Sequence, residues 1–395
     1  MVGLSCSLCA ENSVTDFLSA YFPSLAPRQM VEQEFRKADI RLQGSRPWDI
    51  QVHQEDFYGR LVRDGSMGLG EAYMDGWWDC QSLDGFIYHL LRGHLDERSS
   101  WSTTELMGWL YAHLLNPQSR SASMAVIDRH YQLGDDLFQR MLDPTMAYSC
   151  GYWRQANSLQ EAQAAKYDLI ARKLGLKSGM RVLDIGCGWG GFAKHISHHY
   201  GVSVVGLTLS EHQAAYARNV CKGLPVEIRL QDYRDLHTEQ FDRVVEIGMF
   251  EHVGPKNYRL FMEIVHNHLK PGGLFMLHTI GSNRTNTAGD PWIDRYIFPN
   301  GHLPSIAQIG KSIEGLFVME DWHNFGVDYD KTLLAWHDRF TSTWEEIKTA
   351  YPPHFYRMWT YYLLSCAGAF RARSIQLWQV VLSKGGVEGG YLSVR

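Results

Sequence analysis

At residues 181–191 the chain reads Arg181-Val182-Leu183-Asp184-Ile185-Gly186-Cys187-Gly188-Trp189-Gly190-Gly191. Aliphatic and β-branched residues run into an acid, and four glycines follow within six residues. This is the pattern of a buried parallel strand feeding a tight turn into a helix, with bare N–H groups where a ligand can approach. Gly186-x-Gly188-x-x-Gly191 also satisfies the dinucleotide fingerprint, so the glycines alone do not select a cofactor. Asp184 does. A carboxylate two residues before the first glycine repels a pyrophosphate but suits a ligand carrying its own cation. S-adenosylmethionine brings an ammonium and a sulfonium, so the turn favours a methyl donor over a nicotinamide nucleotide.

Downstream the pattern alternates. A helix is expected over 192–200, a strand over 202–207, a helix over 211–221 and strands over 226–230 and 241–247. A helix over 257–269 and a strand over 273–280 follow. Ser210, with Gln213 three residues on, reads as a helix cap, and Pro271-Gly272-Gly273 as a stop. Strands and helices of this length predict an α/β fold with a parallel, doubly wound sheet, the class I methyltransferase architecture. Two late runs, 317–322 and 376–382, have strand character and should finish the sheet as an antiparallel pair, with helical stretches 333–349 and 355–372 between them. Ligands in such sheets bind beyond the carboxyl ends of the strands. That places the glycine turn, Thr208, Asp232 and the run 248–252 along one rim.

At 395 residues two domains are the default expectation. Residues 1–115 read as a mainly helical region with a small sheet, 116–125 as a linker around Pro117, and 126–395 as the catalytic domain. A formal charge of −5 argues against a nucleic-acid partner. Seven cysteines scattered along the chain fit a reducing compartment better than a disulfide framework, and Cys6-x-x-Cys9 has no second pair to complete a metal site. The N-terminus lacks the features of a secretory signal, and the charge-free run 358–370 is too short to span a bilayer. A soluble, cytoplasmic protein is expected. Aromatic residues, at 13%, are on the rich side and fit either extra core or a site that shelters a cation.

The expected donor pocket has three parts. Asp184 with Gly186, Cys187, Gly188 and Gly190 would hold the amino-acid end. Thr208 and Leu209 lie where a ribose should sit, with Gln213, and Glu211 nearby, in place of an acid. Asp232 could accept from an adenine amino group, and Tyr233 could stack on the ring. A second constellation, Gly248-Met249-Phe250-Glu251-His252, follows a strand end. Glu251 and His278, on the adjacent strand tip, form a candidate acid–base pair. Spacing leaves His252 as a competitor. Glu246, a charge inside an apolar strand, is expected to pair with a neighbour such as Arg243.

Several long motifs carry a resemblance. Met146–Cys150, the Asp184–Gly191 turn, Val205–Ser210, Gln231–Asp235, Gly248–Tyr258, Leu277–Gly281, Pro291–Pro299, Met319–Tyr329 and Ser365–Arg373 resemble the cyclopropane-fatty-acid-phospholipid synthases. The likeness runs from about Gly65 to Arg395, and includes Gly68–Trp78 and His130–Pro144. Mycolic-acid cyclopropane synthases resemble only the catalytic part. The resemblance implies a methyl transferred from S-adenosylmethionine to the cis double bond of a phospholipid acyl chain. A carbocation then loses a proton from the new methyl, closing a cyclopropane ring. It also implies a bound bicarbonate as base, held by Cys150, Glu251, His278, Tyr329 and the backbone near Ile280. Tyr148 and Ser149 match donor-binding positions. Cys366 is a functional position in the family, although small-residue packing beside Gly368 and Ala369 explains it equally well.

The resemblance departs at Glu246, where the family pattern carries a small uncharged residue. Two rival readings stand beside it: a methyltransferase for another acceptor such as an amine, and a non-catalytic lipid-binding module. The N-terminal region is expected to dock on the inner face of the membrane or to form a homodimer contact. That expectation rests on an aromatic cluster (Trp77, Trp78, Phe86, Tyr88) and a basic arm (Arg28, Arg36, Lys37, Arg41, Arg46).

Overall fold

The computed structural model describes residues 26–94, 135–286 and 289–395. The Cys6-x-x-Cys9 pair and the expected linker at 116–125 lie outside them. The described chain opens with helices α1 (Pro27–Lys37), α2 (Asp56–Met74) and α3 (Leu83–Arg92), with two-residue strands β1 (Gln51–Val52) and β2 (Trp78–Asp79) paired antiparallel. Helices α4 (Asp135–Met141) and α5 (Leu159–Lys173) lead into the main sheet. There β3 (Arg181–Ile185), α6 (Gly191–Tyr200), β4 (Ser203–Thr208), α7 (Glu211–Val220), β5 (Val226–Leu230), β6 (Phe241–Ile247), α8 (Tyr258–His268) and β7 (Leu269–Ser282) alternate as expected. The chain continues through α9 (Pro291–Tyr296), α10 (Ile306–Ile313), β8 (Val318–Asn324), the long α11 (Val327–Ile347), α12 (Phe355–Arg371) and β9 (Ile375–Ser383).

The seven strands lie in the order β5-β4-β3-β6-β7-β9-β8. The first five run parallel, and β9 is antiparallel to both its neighbours. The last strand therefore enters between β7 and β8, an order that local pattern does not encode. The strand order reverses between β3 and β6, so the crevice at that switch point opens beside the 186–191 and 248–252 turns.

Alternation along the strands builds a core on each face. Leu183, Ile185, Val205, Leu207 and Val244 join one cluster, whereas Val182, Val204 and Val245 join another. Ser210 caps α7 through the Gln213 N–H at 3.3 Å, as its spacing predicts. The Pro271-Gly272-Gly273 stop works differently from expectation. Strand β7 already begins at Leu269, and its register with β6 jumps from Phe241↔Leu269 to Arg243↔Leu274. The residues between bulge out because Pro271 has no N–H for the ladder. Gly272 and Gly273 pair instead with Lys384.

A third core joins α2 and α3 to α11 and α12, so the N-terminal helices share apolar packing with the helices that follow β8. Trp78 and Phe86 lie fully inside it, correcting the expectation of an exposed aromatic cluster. Trp77 and Tyr88 are half-buried. Most of the basic arm is neutralised as well: Arg28 pairs with Glu55, Arg36 with Glu32, Lys37 with Glu34, and Arg46 with Asp39 and Asp49.

Candidate active site

A cavity of about 220 Å³ opens at the switch point. Its floor is Asp184 and the turn after β3. One wall is Thr145–Ser149, another Thr208, Leu209 and Gln213, and a third Asp232 and Tyr233. The Gly248–Met249 turn, His252 and Phe298 close it. Of the residues expected to bind the donor, Tyr148, Ser149, Asp184, Gly186, Cys187, Gly188, Thr208, Leu209, Gln213, Asp232 and Tyr233 line this space. Gly190 does not. Its backbone is left-handed (φ 84°) and a Cβ there would press on Ala217 of α7, so it serves close packing between helices. Glu211 is exposed at the surface and takes no part in the lining.

The cavity walls hold polar atoms with no partner. Asp184 Oδ2, Gln213 Nε2 and Asp232 Oδ2 are all buried and unpaired. Such atoms are costly unless a ligand completes them. Asp232 Oδ1 is taken by the Arg234 N–H and Nε, each at 2.9 Å, which fixes the carboxylate and aims its other oxygen. Thr208 Oγ1 donates to Gln213 Oε1 at 3.0 Å, leaving the Gln213 amide N–H₂ free to donate. Burial pushes Asp184 up to about 7, opposed by the Lys166 ammonium. A ligand bearing a cation, an acceptor at the Gln213 position and a donor near Asp232 suits these atoms. S-adenosylmethionine, with its ammonium, ribose and adenine amine, has that set.

Glu251 does not line this cavity. The short turn Phe250–His252 puts His252 on the lining, while the Glu251 side chain is buried next to it in sequence. There Glu251 Oε1 accepts the Ile280 N–H at 2.7 Å, while Oε2 has no partner. Burial raises the Glu251 carboxyl well above the usual range, against the stabilising Ile280 N–H. His252 is driven down to about 4 by burial and stays neutral.

His278 is fully enclosed on β7. Gln379 Nε2 donates to its Nδ1 at 3.1 Å, so the neutral ring carries its proton on Nε2, which has no partner. Burial, with Lys166 and Lys173, holds the imidazole well below its usual pKa. In this arrangement His278 offers an Nε2–H to a ligand.

Tyr329, on α11, lies near Cys150, Tyr148, Glu251 and Cys366, which with burial keep its hydroxyl protonated. The Cys150 thiol is turned to the Gly151 carbonyl at 3.1 Å and sits 3.8 Å from Thr332 Oγ1. Cys366, half-buried on α12, is pushed up to about 12 by burial and is a poor nucleophile. Aromatic rings pack around Tyr148 at the edge of the cavity. Tyr148 meets Trp336 at 5.2 Å, Phe138 at 5.2 Å and Phe298 at 6.4 Å between centroids, and its hydroxyl bonds that of Tyr362 at 2.8 Å.

Glu246 overturns another expectation. It does not meet Arg243, whose guanidinium bonds the Leu174 and Asp242 carbonyls. Instead, fully buried in β6, its Oε1 accepts the N–H groups of Met249 and Phe250. It thus braces the turn that presents Glu251. Burial, with the Glu251 carboxylate nearby, pushes Glu246 well up, so two carboxyls share one dry region.

Residues 118–380 match the family model described as mycolic acid cyclopropane synthetase. This chain belongs to that family. The matched span contains every wall of the cavity and the Glu251 turn. Cyclopropane-fatty-acyl-phospholipid synthase of Escherichia coli K12 is 56% identical over 359 residues, covering 91% of this chain and 94% of that protein. That alignment is longer than the family match and so extends beyond it. Cyclopropane mycolic acid synthase MmaA2 of Mycobacterium tuberculosis is 35% identical over 65% of this chain and 96% of its own length. Among solved structures of the family, mycolic acid cyclopropane synthase CmaA1 complexed with SAH and CTAB superposes with a TM-score of 0.62. It is 34% identical and covers 66% of this chain and 98% of that one. The fold is that of the class I S-adenosylmethionine-dependent methyltransferases.

Proposed function

We propose that this chain transfers the methyl of S-adenosylmethionine to the cis double bond of an unsaturated phospholipid acyl chain and closes a cyclopropane ring, with bicarbonate as the base. The observation that carries the reading is one turn, 248–252, which lines a cavity suited to the donor and also carries a buried carboxyl with an unpartnered oxygen. When bound, S-adenosylmethionine supplies an electrophilic methyl. Asp184, Gln213, Asp232 and Tyr233 would hold it, and the 145–149 wall would exclude water. An alkene is a weak nucleophile, so alignment of the two reactants supplies much of the rate. The Tyr148 and Phe298 rings, which line the cavity, would shelter the carbon that becomes positive. Bicarbonate supplies a proton acceptor. The His278 Nε2–H and the Tyr329 hydroxyl would donate to its oxygens, and Glu251 Oε2 would accept its O–H. Cys150 and the Ile280 N–H, already engaged, would shape that pocket.

No described helix is long and apolar enough to cross a membrane, so the protein is proposed to meet its lipid peripherally, at the bilayer surface. The region before the linker remains the proposed docking or homodimer element, now without the exposed aromatics that first suggested it. Incubation with vesicles of unsaturated phospholipid and methyl-labelled S-adenosylmethionine tests the whole reading. Acyl chains should gain one methylene and the label, and the rate should fall in bicarbonate-depleted buffer. Labelled amine product with unchanged acyl chains would refute it.

Two further results are expected. Asp184 must be ionised to hold an ammonium, and its proton affinity is raised to about 7. S-adenosylhomocysteine affinity should therefore fall by about tenfold for each pH unit below that point, and Asp184→Asn should flatten this dependence in calorimetric titration. Glu246→Ala leaves the Met249 and Phe250 N–H groups without their acceptor and frees the Glu251 turn, so kcat should drop by about tenfold. Glu246→Gln, whose amide oxygen still accepts, should retain most of the rate.

A further inference from the structure

Lys166 lies on α5, fully buried, and lines the donor cavity. Its Nζ donates to Ser149 Oγ at 2.7 Å and sits 4.6 Å from the Tyr167 ring centroid. Gln163, one turn earlier, donates to the Ser149 carbonyl at 2.8 Å. One helix face thus clamps Ser149 from two sides.

A buried ammonium ordinarily finds a carboxylate. Among the described residues Lys166 forms no such ion pair. Asp143 spends its oxygens on Thr145 and on the Ala147 N–H. Asp184 leaves Oδ2 buried and unpaired. Burial lowers Lys166 to about 8, with Asp143, Cys150 and Asp184 opposing, so it remains a cation at neutral pH. An amine and a carboxyl group therefore line one dry cavity without pairing with each other. That is a receptor for a zwitterion.

We infer that Lys166, with the Ser149 hydroxyl it holds, anchors the carboxylate of an α-amino-acid end while Asp184 takes the ammonium. Because Lys166 donates to Ser149 Oγ, the serine proton is left free to donate to that carboxylate. The inference rests on the reading of this cavity as the donor site. It adds a residue that nothing in the glycine turn announces.

The test is a binding cycle on the full chain, titrating S-adenosylhomocysteine and its analogue lacking the carboxylate. The unsubstituted protein should prefer the carboxylated ligand by roughly 10- to 100-fold. Lys166→Met should abolish that preference, with the analogue bound within about threefold of its original affinity. Equal loss for both ligands, or an unchanged preference, would overturn the anchor. Should Lys166→Met fail to fold, Lys166→Gln keeps a neutral donor to Ser149 and is read by the same criteria. Tyr233→Ala, at another wall of the cavity, separates the two levels of the argument. If it weakens S-adenosylhomocysteine while Lys166→Met does not, the cavity stands and the anchor falls. If neither matters, the donor lies elsewhere.

Discussion

Glu251→Gln is expected to lower kcat for acyl-chain cyclopropanation by roughly 10²- to 10⁴-fold, the range a positioned proton-transfer group supplies. The substitution is nearly isosteric, and the amide oxygen can still accept the Ile280 N–H that Glu251 Oε1 holds at 2.7 Å. What it removes is the exchangeable charge at Oε2, the atom left without a partner in the buried compartment. Because the side chain does not line the cavity, S-adenosylhomocysteine affinity should stay within about threefold of the parent value. Single-turnover kinetics with saturating donor would separate the two. A variant that loses donor binding in proportion to rate would place Glu251 in the donor site and defeat the division drawn at the 248–252 turn.

Gly191→Val should weaken donor binding by about 100-fold, because overpacking a tight contact costs about 1–3 kcal/mol and here moves a wall of the site. A Cβ at Gly191 would drive into the Thr145 carbonyl oxygen, with the Tyr167 hydroxyl and the Thr145 Cβ close behind. A backbone carbonyl cannot rotate away as a flexible side chain would. The strain passes directly to Thr145–Ser149, which carries Tyr148 and Ser149 and forms one side of the cavity. Titration with S-adenosylhomocysteine, alongside a thermal melt to confirm folding, reads this effect. Full affinity in a folded variant would mean that the 145–149 segment does not shape the pocket.

The doubly wound sheet was legible because its strands carry their own signals. Strands β5 and β6 fall where β-branched runs and turn residues predict them, and a cavity opens beside the glycine turn. The insertion of β9 between β7 and β8 was not legible, since strand order is set by pairing at long range. Trp78 and Phe86 misled because an aromatic cluster reads alike whether it faces water or a helix still distant in the chain. Glu246 misled for a related reason. Its nearest opposite charge in sequence is Arg243, but residues three apart on a strand point to opposite faces, and the turn after β6 brings N–H donors closer. Lys166 gave no signal at all. A lysine in a helix is ordinarily solvated, and only the packing of α5 against Ser149 reveals a buried one.

The donor sulfur is expected at the inner end of the cavity, beside the turn that carries Glu251 and the β7 strand that carries His278. A crystal structure with bound S-adenosylhomocysteine measures it. The thioether should lie beside the Gly248–His252 turn and point into the compartment of Glu251 Oε2 and His278 Nε2, with the adenine at Asp232 and Tyr233. A thioether directed to open solvent, or walled off from those two side chains by ordered protein, would contradict it.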